Sequence, residues 1–372
     1  MPSSRTKTNR DPVDVACELH EEARTLLSQG VSGKARLLCR RSLRILKTKL
    51  DRNHPDVANI TSTLAETYEA TGDYVTAEKL CRQAVAILDQ ATRQTRLVVV
   101  RRMLAQCLAQ LARIYQELGR YKEAEPLSRR ALALAKRVYA QDSADVTMFL
   151  NNLAVLYKYM GRFAEAKRLY RQALKICQWE LGAEHPEVAT VYHNLGGLEH
   201  ARGRFTRGEP FARRSVEIRE KALGPDHPAV AADVAALAAI LEGEKKFDEA
   251  EQLYRRALKV FQRVYGPEHY EIAVNLNNLA SLNFSRGNNQ EAERLYQRCL
   301  EIKEKLLGRQ HPDLAMTLHN LAVVYTSESR FRAAAPLYQR ALTIFEDALG
   351  PGHPNTVLCR TNYKELAAQV NR

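Results

Sequence analysis

The chain has 372 residues, of which 45% are hydrophobic and 27% charged, a composition typical of a folded protein in water. It contains no apolar run of the roughly 18 residues that a membrane-spanning helix needs, and no apolar segment follows the polar N-terminus as in a secretory signal. The seven cysteines lack the paired spacing of a zinc site, so reduced thiols and a cytoplasmic location are expected.

The N-terminal 50 residues carry much of the net charge of +13, with 11 Lys and Arg against 5 Asp and Glu. Within them, Arg36, Arg40, Arg44 and Lys47 recur at helical spacing and form what we call the basic stripe. Such a stripe can bind an acidic protein or a nucleic acid, or it can be the solvated face of a terminal helix. The sequence leaves both possibilities open.

In chain order, residues 1–11 are polar and predicted to be a disordered tail, and residues 12–372 form an array of helix pairs. We expect a first pair over 12–53, seven further pairs to about residue 352, and a closing helix over 353–372. Five extra residues between Ile87 and Leu111 interrupt the period.

The period is set by the motif Leu-Gly-x-x-His-Pro, which recurs with small changes every 42 residues. Its histidines are His185, His227, His269, His311 and His353, with Ser143 and His54 in the earlier slots. Proline suits the first position of a helix, and the preceding histidine is expected to cap it. The glycine, for example Gly182, is expected to end the preceding helix in a left-handed conformation. Because a catalytic histidine is needed only once, we interpret His-Pro as a joint between helices.

Each unit combines small and aromatic residues, as in NLAVLY at 152–157 followed by Gly161, Phe163, Ala166 and Tyr170. This pattern resembles the tetratricopeptide repeat, and the 42-residue unit is similar to the repeats of kinesin light chains. The resemblance implies an all-α, right-handed superhelical solenoid in which alanines such as Ala250, Ala292 and Ala334 make close helix contacts. The heptad coiled coil of kinesin light chains does not precede the first repeat, so we expect a free-standing adaptor.

The resemblance also implies that the first helix of each pair lines a concave groove. The residue before the repeated Leu-Ala then points into it, and asparagine recurs there. An amide can hold the backbone of an extended peptide, or it can bond to the neighbouring helix within the scaffold. The predicted peptide-groove residues are Gln110, Arg113, Asn151, Asn152, Lys158, His193, Asn194, Asn277, Asn278, His319, Asn320 and Asn362.

The helix after His227 interrupts this asparagine register with alanine, since Ala232, Ala235, Ala236 and Ala239 take the groove positions. The methyl groups can form the wall of an anchor site for a bulky apolar residue of a bound peptide. Alternatively, they serve tight helix packing.

No phosphate loop, nucleophile elbow or HExxH motif occurs, and no cofactor is expected. His193 and His200, near Glu199, are interpreted as polar groove lining rather than metal ligands. The sequence therefore predicts a non-enzymatic scaffold that binds a partner peptide or helix in the groove, and an effector protein is a further candidate partner. The alternative is nucleic-acid binding along basic helix edges, with Arg202, Arg204, Arg207, Arg213 and Arg214 as a second cluster.

Overall fold

The computed structural model describes residues 11–140 and 143–370. The predicted N-terminal tail, apart from Asp11, and the last two residues lie outside the described part. Asp11 caps the first helix, because its Oδ1 accepts a hydrogen bond from the backbone N–H of Val13 at 2.9 Å.

The described residues form 17 α-helices, and backbone contacts divide the chain into two compact units, Met1–Tyr115 and Gln116–Arg372. In the first unit, α1 pairs with α2 and α3 pairs with α4 as antiparallel neighbours. Its helices are α1 (Pro12–Ser28), α2 (Ser32–Lys49), α3 (Pro55–Glu69), α4 (Tyr74–Gln94) and α5 (Val98–Glu117), the last of which crosses the unit boundary.

The second unit repeats the same pair of helices along the chain. Its helices are α6 (Tyr121–Val138), α7 (Ala144–Tyr159), α8 (Phe163–Leu181), α9 (Pro186–Ala201), α10 (Phe205–Leu223), α11 (Pro228–Gly243), α12 (Phe247–Tyr265), α13 (Tyr270–Ser285), α14 (Asn289–Leu307), α15 (Pro312–Ser327), α16 (Phe331–Leu349) and α17 (Pro354–Val370). Each helix packs against the next in sequence, as expected for stacked helix-turn-helix repeats. The predicted all-α solenoid fold is confirmed.

The repeated histidines cap the first helices, as predicted. In all six slots with histidine, Nδ1 accepts a hydrogen bond from the backbone N–H two residues later, at 3.1–3.3 Å. Ser143 does the same with its Oγ toward Asp145 at 3.3 Å. His-Pro is therefore a helix joint in this chain.

The joint glycines differ in one respect from the prediction. Gly182 has the expected positive φ of 89°, but its ψ is 155°, so it is extended rather than left-handed helical. Gly224 is similar, with φ 83° and ψ 156°. An extended residue is needed because the chain must run on to the next capping histidine, and only glycine tolerates this combination of angles without strain.

The predicted small and aromatic core is also found. The repeated alanines, including Ala166, Ala250 and Ala292, are fully buried, and Tyr170 and Tyr254 are buried between helices. Small side chains let the paired helices approach closely, and the tyrosines fill the space between them. The extra residues between Ile87 and Leu111 lie in longer helices, because α4 has 21 residues and α5 has 20, whereas α7 has 16 and α8 has 19.

In the second unit the first helices of successive pairs also touch one another, as α9 does with α11 and α11 with α13. Successive second helices meet through long side chains instead, such as the Arg256–Glu220 ion pair at 2.6 Å. The layer with the closer spacing lies on the inside of a curved stack. The first helices therefore form the inner layer of this unit.

Candidate peptide-binding face

The predicted groove positions of the second unit lie along the inner layer, and we call them the first-helix face. Most are half-buried, so each leaves part of its side chain accessible, and His319 is buried. The half-buried members are Asn151, Asn152, Lys158, His193, Asn194, Ala232, Ala235, Ala236, Ala239, Asn277, Asn278, Asn320 and Asn362.

Two of the repeated asparagines bond to the preceding first helix. Asn194 donates from Nδ2 to Oδ1 of Asn151 at 2.7 Å. The Nδ2 of Asn362 lies 3.3 Å from Nε2 of His319. Each bond spans 43 residues, one more than the period, so it joins the repeated asparagine to the residue before the equivalent position of the preceding repeat. At these two positions the amide serves the scaffold.

The other three asparagines behave differently. Asn152, Asn278 and Asn320 make no side-chain hydrogen bond within the described residues. Their amides remain half-buried and accessible on the first-helix face, with one acceptor and two donor hydrogens each. These three amides are therefore available to a ligand on this face.

Between Asn194 and Asn278, α11 presents its alanines beside a buried polar cluster. Asp233 is 3% exposed, and its carboxylate accepts from Nε of Arg219 at 2.6 Å and contacts Nδ1 of His193 at 2.8 Å. Burial alone would raise the pKa of Asp233, but the hydrogen bonds from His193 and Arg219 outweigh it and lower the pKa. The cluster fixes His193 at the edge of the alanine surface.

One repeat later, Asn275 occupies the register of Asp233, but its surroundings have changed. It is 1% exposed, and neither Oδ1 nor Nδ2 has a hydrogen-bond partner in the described structure. The positions equivalent to Arg219 and His193 are here Phe261 and Ala235, which offer no polar atom. Buried amides without partners are costly, at about 1–3 kcal/mol. The alanine surface thus adjoins an unsatisfied amide.

In the first unit, the prediction for Gln110 is wrong in one respect, since this residue is not accessible. It is 5% exposed, and its amide donates from Nε2 to the Glu69 carboxylate at 2.7 Å and to the Ser62 carbonyl at 3.1 Å. Arg113 is exposed but paired with the same Glu69 at 2.9 Å. These hydrogen bonds and ion pairs join the longer helix α5 to α3, so Gln110 contributes to the packing of the two helices.

His193 and His200 do not form one site. His193 bonds to Asp233, whereas the His200 ring packs edge-on against Phe205 at 5.3 Å, and Glu199 pairs with Lys167 at 2.6 Å. No group of three potential metal ligands is found within residues 11–140 and 143–370. In the same described ranges, no helix is both long and apolar enough to cross a bilayer.

The basic stripe is divided by the structure. Arg36 is half-buried and donates from Nη2 to the Thr67 carbonyl at 2.6 Å and to the Thr71 hydroxyl at 2.8 Å, with its guanidinium 4.0 Å from the centre of the Tyr68 ring. Arg40 donates to the Tyr68 hydroxyl at 2.5 Å. Only Arg44 and Lys47 are exposed without such bonds among the described residues.

Inspection of single motifs missed Asn275 and the Arg219–Asp233 pair. A column-by-column alignment of the repeats reveals them, because Val191, Asp233, Asn275 and Thr317 share one register. A polar residue at a position that is buried in every repeat is the sequence signal for such a pair. The partner of Asp233 in this chain is Arg219, 14 residues earlier.

The stack of capped helix pairs defines the chain as an α-helical repeat protein. The tetratricopeptide repeat model matches residues 14–90, 103–178, 145–206, 231–305, 271–347 and 313–372, and a second tetratricopeptide repeat model matches residues 188–229. The chain belongs to the tetratricopeptide repeat family. The predicted resemblance to the tetratricopeptide repeat is confirmed.

Comparison with curated proteins gives no match. Among solved structures, BtubC (BKLC) from P. vanneervenii is 29% identical, with 64% of this chain and 93% of that chain covered and a TM-score of 0.48. A putative kinesin light chain with nearly identical repeats from Podosopora anserina is 25% identical, with 53% and 93% covered and a TM-score of 0.45. Yeast Tom70 is 17% identical, with 100% of this chain and 68% of that chain covered and a TM-score of 0.57, which reflects the shared fold.

Proposed function

We propose that this chain is a non-enzymatic protein-interaction scaffold that holds an extended peptide or a helix of a partner protein on the first-helix face of its second unit. Membership of the tetratricopeptide repeat family supports the general role, because these repeats serve as interaction scaffolds. The partner site is proposed from the side chains of the face itself.

The observation that carries the proposal is the accessible amide of Asn278, on the first helix that packs against α11, with the accessible amide of Asn320 one repeat further along the same face. An amide on a ridge of helices can donate to and accept from a peptide backbone whatever the peptide sequence. Asn194, in contrast, is already committed to Asn151. Asn278 is therefore the free amide of the first helix that packs against α11, whereas Asn152 is free on the more distant α7.

The alanine surface supplies the apolar contribution. Ala232, Ala235, Ala236 and Ala239 are half-buried, so their methyl groups face the surface of α11 rather than its core. A bulky apolar side chain placed there loses water contact on one side, which contributes roughly 1.5–3 kcal/mol when burial is complete. Such an anchor dominates a groove whose other contacts are polar.

The unsatisfied amide of Asn275 is consistent with a ligand at this point. If the buried Asn275 side chain turns toward the alanine surface on binding, a polar group of the peptide gives it the partner that its register has in the neighbouring repeats. Binding then removes the penalty of an unpaired buried amide.

Nucleic-acid binding along the basic helix edges is less well supported by the charges. In the predicted cluster, Arg213 pairs with Glu209 and Glu249, and Arg214 with Glu184 and Glu217. Arg202 lies 3.5 Å from Glu199. Phosphate groups would have to displace these carboxylates, which lowers the gain from each contact.

The test uses a peptide selected for binding to the intact chain from a random display library. Its affinity is measured for the wild type, for Ala236→Gln, and for the control Ala222→Gln, which lies on the exposed end of α10. We expect at least a tenfold loss for Ala236→Gln and less than a twofold change for the control, with unchanged circular dichroism for both. Equal affinity of all three proteins contradicts binding at α11.

A further inference from the structure

The outer surface of the second unit carries a large apolar side chain that is almost completely exposed. Trp179, the single tryptophan of the chain, is 86% exposed in the last turn of α8. The equivalent positions of the other second helices of this unit are charged, namely Arg137, Lys221, Arg263, Lys305 and Asp347. A largely exposed tryptophan where the other repeats of this unit have a charge suits a contact with another molecule.

Trp179 lies at the end of a cleft between α6 and α8. One part of the cleft, of about 510 Å³, is lined by Leu132, Leu153 and Leu169, and an adjoining part of about 470 Å³ by Ile176 and Trp179. Gln172 lines both parts, so they form one continuous surface. Its bottom is apolar and can take a bulky side chain.

The rim of the cleft is basic. Lys136, Arg168 and Lys175 line it, and Arg171 is exposed on the same helix as two of them. Among the residues that the structure describes, none of these four makes a hydrogen bond or an ion pair. The nearby carboxylates of Glu125 and Glu165 are engaged by Arg162, at 2.8 Å in the case of Glu125.

In some other repeats, the position equivalent to Lys136 carries a glutamate that forms an ion pair with an arginine of the next second helix. Arg256 of α12 pairs with Glu220 of α10 at 2.6 Å, and Arg340 of α16 pairs with Glu304 of α14 at 2.5 Å. Each pair spans 36 residues. Between α6 and α8, the residues with the same 36-residue spacing are Lys136 and Gln172. Lys136 thus places an ammonium group where Glu220 and Glu304 have a carboxylate.

We infer that the cleft between α6 and α8 is a second docking site, which binds an acidic segment of a partner protein that carries one bulky apolar side chain. The carboxylates pair with Lys136, Arg168, Arg171 and Lys175, and the apolar side chain lies on Leu132 and Leu169 beside Trp179. A second copy of this chain fits poorly, because its net charge of +13 opposes a basic face. A protein segment fits better than nucleic acid because the floor is aliphatic and recessed. The inference goes beyond the proposed function, since the site lies on second helices.

The experiment uses the full chain and the fluorescence of Trp179, which reports on this site alone because the chain has no other tryptophan. The probes are synthetic peptides with four glutamates on each side of one phenylalanine, the same peptide with alanine in place of phenylalanine, and a lysine version. We expect the phenylalanine–glutamate peptide to shift the emission to shorter wavelength and to protect Trp179 from acrylamide. The alanine peptide is expected to bind at least fivefold more weakly, and the lysine peptide to have no effect.

The charge requirement is tested with Lys136→Glu/Lys175→Glu, which is expected to lose at least tenfold in affinity. The matched control is Lys259→Glu on α12, an exposed residue in the same repeat register as Lys175, with less than a twofold change expected. If about 1 mM acidic peptide does not change the Trp179 emission, the inference is overturned. Half-saturation at that concentration corresponds to a binding free energy of only about 4 kcal/mol. The inference is also overturned if a single-stranded oligonucleotide binds more tightly than the acidic peptide and if the Lys136→Glu/Lys175→Glu variant loses this binding. That result would identify the cleft as a nucleic-acid surface.

Discussion

Arg219 donates a hydrogen bond to the carboxylate of Asp233 at 2.6 Å, which joins α10 to α11 through a buried ion pair. The Asp233 side chain is 4% exposed and that of Arg219 12% exposed, so neither charge is well hydrated. Removal of Arg219 leaves the buried carboxylate with only its contact to His193, and removal of Asp233 leaves the guanidinium with only its hydrogen bond to Thr190. This pair therefore matters for the part of the inner layer that adjoins the alanine surface.

Arg219→Met is expected to destabilise the second unit by about 3–5 kcal/mol, the usual consequence of breaking a buried ion pair. The double variant Arg219→Met/Asp233→Asn is expected to recover at least half of this loss, because the next repeat combines apolar Phe261 with Asn275 in the same register. Urea unfolding followed by circular dichroism measures both changes. A double variant that is less stable than Arg219→Met would show that the carboxylate is needed for another reason.

The sequence was sufficient to predict the repeat, the helix pairs, the histidine caps and the alanine and tyrosine core. These features recur at a fixed interval, so each copy of the motif supports the others, and each follows from local chemistry such as the cap of His227. The functional side chains were harder to predict because their partners lie about 40 residues away. Asn194 and Asn278 look alike in sequence, yet Asn194 bonds to Asn151 while the residue 43 positions before Asn278 is Ala235.

The histidine caps provide a second prediction. His227→Ala removes the acceptor for the backbone N–H of Ala229 at the start of α11 and is expected to lower stability by about 1 kcal/mol. Because His227 is exposed, little packing is lost with the ring. The matched variant His227→Ser is expected to keep most of the stability, since Ser143 performs the same role at the start of α7. Equal losses in the two variants, measured by denaturant unfolding, would mean that the hydrogen bond contributes little.

Acid pH is expected to weaken the first unit through His20. This residue is 8% exposed, its Nε2 lies 2.7 Å from Oγ1 of Thr63, and burial together with the charge of Arg24 lowers its pKa from 6.5 to about 4. Because the folded state disfavours the protonated ring, its stabilisation is complete above pH 6.5. It is lost as the pH falls toward 4, by up to about 3 kcal/mol.

Hydrogen exchange of α1 peptides at pH values between 4.5 and 7.5 measures this effect in the first unit, after correction for the intrinsic pH dependence of exchange. The variant His20→Gln keeps a neutral polar group and is expected to show a shallower loss of protection as the pH falls. Identical pH dependence in the wild type and the variant would exclude His20 as the source. The pKa values of His200, His311, His319 and His353 are also lowered by burial, so the second unit is expected to weaken in the same direction.

The last prediction separates the members of the basic stripe. Arg36 bonds to the Thr67 carbonyl and the Thr71 hydroxyl and covers the Tyr68 ring, so Arg36→Glu breaks contacts between α2 and the end of α3. Hydrogen bonds to a charged group contribute about 1.5–3 kcal/mol, and a loss of that size is expected in chemical unfolding of the chain. Arg44→Glu, at the exposed end of the same stripe, is expected to change stability by less than about 0.5 kcal/mol.

The double variant Arg44→Glu/Lys47→Glu tests whether the stripe also binds an acidic partner, because it should weaken such binding without loss of stability. Arg36→Glu is not suitable for this test, since it is expected to lower stability as well as to remove a positive charge. Equal stability of Arg36→Glu and the wild type would contradict the structural role of Arg36.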